Sequence, residues 1–519
     1  MMGHIDGSIF DRLRRTPDEI ALFDVRSSLT WTEAGNLVLR AANLLVSRQF
    51  GPEQRVAIFA ENSVESVISY AAAVLAGVSA IPVNFHLTPD EAAYLLRDGG
   101  ATMIWAGPET ADAAVAAAGQ VGGVDVLSWR TPALREHSWE DCLREYPGEA
   151  PSLSRAPQPL LLYTSGTTGF PKGVRRPFRM PTTIEAYLAE IRQQPAAEFG
   201  THLVVAPLYH TGPHSAIDLF LSGHQLVILA RFDGEKTLET IAKHKIESSI
   251  MVPTHFVRLL NLPADVRASY DVSSMRRISH TGSTCPVAVK TAMIDWFGPI
   301  LYESYGATEV GPTATITSAE WLLRPGSVGR AKPPFEALIL DDDDQPVPVG
   351  APGRLYFRDG TGRGLEYYND PEKSRAAHLE PGVFTLGEIA YADDEGYLYI
   401  CDRFTDMVVS GGVNIYPAEC ERILLEHPAV ADAAVFGVPD PEMVERLVGV
   451  AIVDDTAVSG DELVMYCRNK IAHYKVPRKI EIVEALPRNL MGKINKRNLR
   501  DSYVAARGRG ICGRASPLR

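Results

Sequence analysis

Short apolar segments alternate with helical patterns through most of the chain, and this alternation limits the possible folds. Residues 55–59 form an apolar segment before a helical pattern at 63–75, and residues 101–105 form another after a helical pattern at 89–97. Such alternation predicts an α/β fold with layered, largely parallel sheets. Further strands are predicted at 203–206, 225–229 and 249–252.

The pattern changes twice toward the C-terminus. From about residue 326, short strands separated by Gly, Asp and Pro predict a compact, β-barrel-like region. After Arg403, strand and helix patterns predict a small α+β domain. We therefore predict a large domain over residues 1–403 and a small C-terminal domain over 404–519, an organisation that a chain of 519 residues can accommodate.

Composition and charge restrict the function and location of the chain. A formal net charge of −13 argues against broad nucleic-acid binding, which requires clustered basic surface. Six cysteines without any Cys-x-x-Cys pair are typical of reduced thiols in a cytoplasmic protein. No secretory signal is expected at the N-terminus. The most apolar stretch, 67–83, contains Gly77 and Pro82 and predicts a buried helix and a strand, so no integral membrane segment is expected.

Residues 163–174 form a polar loop that follows the apolar run 160–163. Glycines allow such a loop to turn its N–H groups toward an anion, hydroxyl groups donate further hydrogen bonds, and Lys172 adds a positive charge suited to a phosphate. A Walker A motif cannot be aligned with the loop. A flexible linker is the alternative, but a linker does not require a buried strand before it or a Pro-Lys-Gly ending. The sequence favours a phosphate-binding loop.

A second polar motif covers residues 302–309, which read Tyr-Glu-Ser-Tyr-Gly-Ala-Thr-Glu. Tyr305 could stack on a base, Thr308 could bind a phosphate, and Glu309 could hold Mg²⁺ together with phosphate oxygens. The alternative is an ordinary strand-to-helix turn. The presence of the phosphate-binding loop in the same chain favours a nucleotide site.

Two further residues have no specific meaning on their own. His210 follows an apolar strand, and a loop histidine is usually structural; its spacing to His214 and His224 does not suggest a metal site. Lys493 follows a glycine near the C-terminus, where exposed lysines are normally solvated.

Together these segments resemble the adenylate-forming superfamily of acyl-CoA synthetases, peptide-synthetase adenylation domains and luciferases. Five motifs occur in the family's order, and the resemblance runs from Leu29 to Lys496; the motifs are 163–174, 207–212, 302–309, 396–403 with Gly411-Gly412, and 486–493. The resemblance implies a large N-terminal domain of α/β layers plus a β-barrel-like subdomain, followed by a small mobile domain. It also implies ATP and Mg²⁺ as cofactors, CoA as co-substrate, a carboxylic acid substrate, and a monomer or homodimer.

The resemblance also assigns roles to individual residues. Lys493 would bridge the attacking carboxylate and the α-phosphate, Lys172 would bind the triphosphate, and Thr164 and Glu309 would lie near Mg²⁺. The implied ATP site comprises Thr164, Ser165, Gly166, Thr167, Thr168, Gly169, Lys172, Gly282, Ser283, Ser304, Tyr305, Gly306, Thr308, Glu388, Arg403 and Lys493. The implied acyl pocket comprises His210, Thr211, Ala307, Val310 and Gly311, and the implied CoA or acceptor site comprises Gly411 and Gly412.

Two positions depart from the family pattern. The ribose-binding carboxylate is usually aspartate and is Glu388 here, and the hinge position two residues after Arg403 is commonly Asp or Lys and is Thr405 here. A longer carboxylate can still accept two hydroxyl hydrogen bonds. We expect an acid–CoA ligase acting through an acyl-adenylate.

Other acceptors and a non-enzymatic role remain alternatives. An amino acid or a carrier-protein thiol could capture the same adenylate, and the altered hinge favours keeping the acid–amine ligase in view. A non-catalytic nucleotide-binding protein is disfavoured because Lys172, Glu309 and Lys493 are all present. Small residues at Gly306 and Ala307 favour a medium-length or cyclic apolar acid.

Overall fold

The computed structural model describes residues 8–132, 137–150, 155–164, 171–175, 180–193, 198–403, 406–410, 413–440, 444–454, 458–471, 473–488 and 494–508. The chain forms two compact units. The first contains residues up to 325 together with 363–376, and the second contains residues 326–362 together with those from 377 onward.

Helices of the first unit cover its sheets. They are α1 (Ile9–Arg15), α2 (Trp31–Ser47), α3 (Val64–Ala76), α4 (Pro89–Asp98), α5 (Ala111–Val121), α6 (Trp139–Arg144), α7 (Ile184–Ile191), α8 (Thr211–Leu221), α9 (Gly234–His244), α10 (Pro253–Leu260), α11 (Ala264–Ala268), α12 (Val287–Phe297), α13 (Ser318–Leu323) and α14 (Pro371–Ala376).

The strands of the first unit form a large sheet, a smaller sheet and a hairpin. They are β1 (Ile20–Phe23), β2 (Ser28–Thr30), β3 (Arg55–Phe59), β4 (Ala80–Val83), β5 (Ala101–Ala106), β6 (Asp125–Ser128), β7 (Leu161–Thr164), β8 (Lys172–Arg175), β9 (His202–Val204), β10 (Leu226–Ile228), β11 (Ser248–Met251), β12 (Arg277–His280), β13 (Leu301–Ala307) and β14 (Gly311–Thr317). The large sheet includes these strands in the order β14-β13-β12-β11-β9-β10-β1-β2, the smaller sheet has the order β4-β3-β5-β6, and β7 pairs with β8. Pairing is parallel from β13 to β1 and throughout the smaller sheet, as the alternation of strands and helices predicts.

Local sequence signals fix the ends of the helices. Thr88 caps α4 in a capping box with Glu91, and Ser63 caps α3 in a box with Ser66. Gly77 ends α3 at φ 62°, a left-handed conformation that favours glycine. The stretch 67–83 is therefore a buried helix followed by strand β4, as the sequence predicts. No helix in the described ranges combines the length and the apolarity needed to cross a bilayer.

The core of the first unit lies between its helices and sheets. Four tryptophans, Trp31, Trp105, Trp129 and Trp139, are almost fully buried there. Trp139 packs edge-on against two of the others, with ring centroids 6.3 Å from Trp105 and 6.0 Å from Trp129. Large aromatic side chains contribute much of the buried apolar area that stabilises such a core.

The second unit contains a β region and an α+β region. After the short strand β15 (Arg330–Ala331), the β region is built from β16 (Phe335–Leu340), β17 (Gly353–Asp359), β18 (His378–Glu380), β19 (Val383–Ala392) and β20 (Leu398–Arg403). Its sheet has the order β16-β17-β19-β18, and β20 also pairs with β19. Phe335, Phe357 and Phe384 pack together on this sheet, with ring centroids 6.0 to 6.3 Å apart.

The α+β region forms the C-terminal part of the second unit. Its elements are β21 (Val408–Ser410), β22 (Val413–Ile415), α15 (Pro417–Leu425), β23 (Val430–Asp440), β24 (Val444–Val453), α16 (Gly460–Arg468), a 3₁₀ turn (His473–Lys475), β25 (Ile480–Ile482) and α17 (Lys496–Gly508). Val435 on β23 packs with residues of α15 and α16, whereas the next residue, Phe436, packs with Tyr503 of α17. Successive residues of a strand point to opposite faces, so the helices cover both faces of this sheet.

These elements confirm the predicted fold class, with an α/β N-terminal part, a β region and a small α+β C-terminal part. The compact units group the β region with the α+β region. The domain boundary at residue 403 stays a prediction.

Candidate active site

The predicted phosphate-binding loop connects the two strands of the β7–β8 hairpin. Thr164 at the end of β7 pairs with Lys172 at the start of β8, and Leu161 and Leu162 are buried, as predicted for the strand before the loop. Ser165, Gly166, Thr167, Thr168 and Gly169 lie outside the described residues, as does the side chain of Thr164. The hairpin therefore places Lys172 directly at the end of the predicted loop.

A third segment, residues 367–373, lies along the β8 edge of this hairpin. Tyr367 forms a bridge with Val174, and the backbone N–H of Tyr368 donates to the carbonyl oxygen of Gly173 at 2.8 Å. A Cβ atom added to Gly173 would lie 3.1 Å from the Cβ of Tyr368, so the two backbones approach closely. The segment is part of residues 363–376, which belong to the first unit although the residues before them (326–362) and after them (377 onward) belong to the second.

Four charged side chains lie around the end of the hairpin. Lys172 Nζ forms an ion pair with Asp370 Oδ2, and Lys373 Nζ lies 3.6 Å from the ring centroid of Tyr367. The hydrogen bond from Lys172 holds the pKa of Asp370 below its usual range. Burial lowers the pKa of Lys373, as does Lys172, whereas Glu309 and Asp370 oppose that shift. Two lysines and two carboxylates thus share one neighbourhood.

Sequence reasoning missed Asp370 and Lys373. The Asp370 carboxylate accepts a hydrogen bond from the backbone N–H of Lys373 at 3.1 Å and so caps the start of α14. The local sequence Asp370-Pro371 indicates such a helix start. It does not indicate that α14 lies beside a hairpin almost two hundred residues earlier in the chain.

The predicted adenine-site segments meet at the ends of β12 and β13. Thr281 follows β12, and its hydroxyl donates to the carbonyl oxygen of Ser304 at 2.8 Å. Gly282 has φ +96°, in the left-handed region. A Cβ atom on Gly306 would overlap the carbonyl oxygen of Gly311 across the β13–β14 hairpin, so this position requires glycine. The structure brings Gly282 and Ser283 beside Ser304 and Tyr305.

Residues of the predicted acyl pocket lie near the ends of β12 and β13. His210 immediately precedes α8 and Thr211 begins it. A Cβ atom added to Gly212 would lie 3.1 Å from Thr281 Cγ2, which brings the start of α8 close to the end of β12. Ala307 pairs with Gly311 across the hairpin, and Val310 is buried between them. The sequence did not single out Thr281, which lies close to Gly212 in the first turn of α8 and hydrogen-bonds to Ser304.

Glu309 is a suitable carboxylate for a nucleotide-borne Mg²⁺. Mg²⁺ is commonly held by one or two carboxylates together with substrate phosphates. The described residues contain no cluster of three or more His, Cys, Asp or Glu side chains that could hold a metal ion. Glu309, whose carboxylate acts on the nearby Lys373, could supply one such ligand.

The remaining predicted site residues belong to the second unit. Glu388 on β19 pairs with Arg403 on β20, so the two predicted ribose residues are neighbours in one sheet; the side chain of Arg403 lies outside the described residues. Thr405, Gly411, Gly412 and Lys493 also lie outside them.

The chain on either side of Lys493 is held together. Arg488 forms a bridge with Ile494, and the backbone N–H of Asn495 donates to the carbonyl oxygen of Pro487 at 2.9 Å. Lys496 forms an ion pair with Glu421 of α15 at 2.9 Å. Burial tends to lower the pKa of Lys496, but Glu421 and Asp402 outweigh that effect and raise it. The described residues before and after Lys493 are thus held within the C-terminal region by these contacts.

Comparison with known proteins identifies the family. A family model for AMP-binding enzymes matches residues 9–368, and a model for the C-terminal domain of AMP-binding enzymes matches residues 419–493. The chain belongs to the AMP-binding enzyme family. This assignment confirms the adenylate-forming superfamily predicted from the sequence motifs.

Individual AMP-binding relatives match the chain over nearly its whole length. A feruloyl-CoA synthase of an Amycolatopsis species is 31% identical over 95% of this chain and 97% of the relative. A long-chain-fatty-acid–CoA ligase of Mycobacterium tuberculosis is 30% identical over 93% of this chain and 94% of the relative. A solved anthranilate CoA ligase in complex with anthranoyl-AMP is 25% identical, with a TM-score of 0.82 over 96% of this chain and 97% of that structure.

Proposed function

We propose that this protein is an AMP-forming acid–CoA ligase, which activates a carboxylic acid with ATP and transfers the acyl group to CoA. The observation that carries the proposal is the match to curated CoA ligases along nearly the full length of both chains. A cluster of charged side chains supports the proposal. A triphosphate requires cations, and the cluster contains Lys172 and Lys373 beside Asp370 and Glu309.

In the first half-reaction, the substrate carboxylate attacks the α-phosphorus of ATP and pyrophosphate leaves. This attack brings one anion toward another, so positive charge near the phosphates lowers the barrier. Lys172 neutralises charge on the triphosphate, and Lys493 neutralises charge between the carboxylate and the α-phosphate. Glu309 would hold Mg²⁺, which would supply further charge neutralisation when bound with the nucleotide.

In the second half-reaction, the thiolate of CoA attacks the acyl carbonyl carbon and AMP leaves. Gly411 and Gly412 border this acceptor, and Glu388 and Arg403 hold the ribose hydroxyls of the adenylate. An amino acid that captured the adenylate would instead give an amide. The similarity to CoA ligases favours the thiol.

The acid is a medium-length or cyclic apolar acid. The support for this class is the small side chains of Gly306, Ala307 and Gly311 in the β13–β14 hairpin. Five described cysteines are free, which supports a cytoplasmic setting. A monomer or a homodimer remains the expected assembly.

A panel of carboxylic acids, scored for pyrophosphate release, tests the function. Each acid is assayed with ATP and Mg²⁺ in three arms, with CoA, with an amino acid mixture and with neither. We expect acid-dependent pyrophosphate release, and sustained turnover only with CoA. Turnover only with amino acids would identify an acid–amine ligase, activity confined to acetate would contradict the acid class, and no release with any acid would contradict adenylation.

A further inference from the structure

The hairpin presents its predicted phosphate-binding lysine paired with a carboxylate. Lys172 Nζ contacts Asp370 Oδ2, and both side chains are about one quarter exposed, at 23% and 27%. A triphosphate that reaches Lys172 must therefore compete with Asp370 for the same ammonium group. The other oxygen of this carboxylate, Oδ1, accepts the backbone N–H of Lys373.

Lys373 is the second cation in this neighbourhood. Its ammonium group lies over the ring of Tyr367, a contact that orients a lysine side chain. Tyr367 bridges to Val174 of β8, so the contact ties Lys373 to the hairpin. Burial and the neighbouring Lys172 both lower the pKa of Lys373. Both effects disfavour the charged ammonium form, so a bound anion would stabilise that form.

We propose that Lys373 is a second phosphate-binding residue for the triphosphate of ATP, and that Asp370 is a counter-ion that holds Lys172 until the triphosphate replaces it. The inference rests on the proposed function. The β- and γ-phosphates, which AMP and the acyl-adenylate lack, are the groups that Lys373 binds. Its loss therefore affects ATP and spares AMP.

Calorimetric titration of the full chain with ATP–Mg²⁺ and with AMP, without acid, tests this assignment. For Lys373→Met we expect the Kd for ATP to rise roughly ten-fold, the effect of losing one hydrogen bond to a charged group. The Kd for AMP stays within about two-fold in the same variant, because the lost contact lies beyond the α-phosphate. Lys373→Arg keeps the positive charge and retains most of the ATP affinity.

Arg375 supplies the matched control, because it is an exposed basic residue of the same short helix. Arg375→Met removes one positive charge from α14 and leaves both Kd values unchanged. Asp370→Asn keeps a residue that can cap α14 but removes the carboxylate charge, so ATP binds more tightly than to the wild type. Thermal unfolding of each variant shows whether it is folded.

The outcomes separate the inference from the proposed function. If Lys373→Met binds ATP as Arg375→Met does, or loses AMP and ATP affinity equally, Lys373 is not a triphosphate ligand although the proposed function stands. If Asp370→Asn weakens ATP binding, the counter-ion role is wrong. A wild-type protein that binds neither nucleotide would overturn the proposed function and this inference together.

Discussion

Lys290 of α12 forms a buried ion pair with Glu303 of β13, the residue that precedes Ser304 of the predicted adenine site. Lys290 Nζ lies 2.5 Å from Glu303 Oε2, and the two residues are 0% and 6% exposed. Burial raises the pKa of Glu303 and lowers that of Lys290, and each partner opposes the shift of the other. His280 Nε2 lies 3.6 Å from the same carboxylate oxygen. The pair links α12 to the strand that leads into Ser304 and Tyr305.

Breaking this pair should destabilise the protein strongly. Glu303→Gln leaves Lys290 buried without a counter-charge, and we expect a loss of about 3 kcal/mol in the free energy of unfolding, measured in urea. Glu336→Gln is the control, because the same change in the exposed pair with Arg358 should cost less than about 1 kcal/mol. The double variant Lys290→Met with Glu303→Gln should recover most of the loss. Equal stability of Glu303→Gln and Glu336→Gln would contradict this account.

At the level of single residues, the sequence singled out candidates that belong to a local motif, and their roles in substrate binding stay predictions. Gly306 is an example, because the close approach of Gly311 explains why only glycine fits there. Glu303 lies inside a predicted motif, but its partner Lys290 was not anticipated. That pairing depends on the return of α12 over β13, which is a property of the tertiary fold and leaves no periodic pattern in the sequence.

Strand β9 carries a histidine whose burial makes the stability of the large sheet depend on pH. His202 is buried, and its Nδ1 lies 2.9 Å from the Ser248 hydroxyl of β11. Burial and the neighbouring His224 lower the pKa of His202 to about 3. The unfolded chain, with an ordinary histidine pKa near 6.5, therefore binds more protons than the folded chain between these two values.

Stability should therefore fall as the pH decreases below about 6.5, by up to roughly 1.4 kcal/mol per pH unit for this one group. His202→Gln should remove that share of the pH dependence, measured as the urea midpoint between pH 7 and pH 5. His255, which burial also shifts to about 3, should keep a residual slope. The exposed His86 provides the control, since His86→Gln should retain the wild-type slope. An unchanged slope in His202→Gln would contradict the assignment.

Periodicity predicted the secondary-structure elements well where a local signal existed. The strand at 55–59 matches the structure, the helix predicted at 89–97 differs from α4 by one residue, and most of the other predicted strands end within a few residues of the observed ones. Helix α17 was missed, because its sequence is rich in charged residues and only a few apolar side chains, such as Tyr503 and Leu499, face the sheet. The β13–β14 hairpin was not predicted, since its register depends on the close approach of Gly306 to Gly311.

At the scale of the whole molecule, the predicted site residues are divided between the two compact units. Lys172, Glu309 and the adenine-site segments belong to the first unit, whereas Glu388, Arg403 and Lys493 belong to the second. The order of these motifs along the chain predicted the family and the fold class. The segment 363–376 breaks that simple order, because it crosses back to the first unit and adds Asp370 and Lys373 to the predicted triphosphate site.

Replacement of Lys493 should separate the two half-reactions. In the proposed mechanism its ammonium group acts where the carboxylate meets the α-phosphate, whereas the acyl-adenylate already carries the activated acyl group. We expect Lys493→Ala to slow acid-dependent pyrophosphate release by roughly a hundred-fold or more, as the loss of one charge-stabilising group does in other active sites. Formation of the thioester from supplied acyl-adenylate and CoA should change by less than about three-fold.

Lys479→Ala is the matched control, because Lys479 belongs to the same C-terminal region and its pair with Glu481 is largely exposed on the lysine side. It should leave both half-reactions unchanged, which shows that a lost lysine in this region is harmless by itself. The ion pairs of Arg488 with Asp432 and of Lys496 with Glu421 do not involve Lys493, and neither does the bridge of Arg488 to Ile494. We therefore expect Lys493→Ala to unfold at the wild-type temperature. Equal slowing of both half-reactions by Lys493→Ala would contradict the assignment of this lysine to the adenylation step.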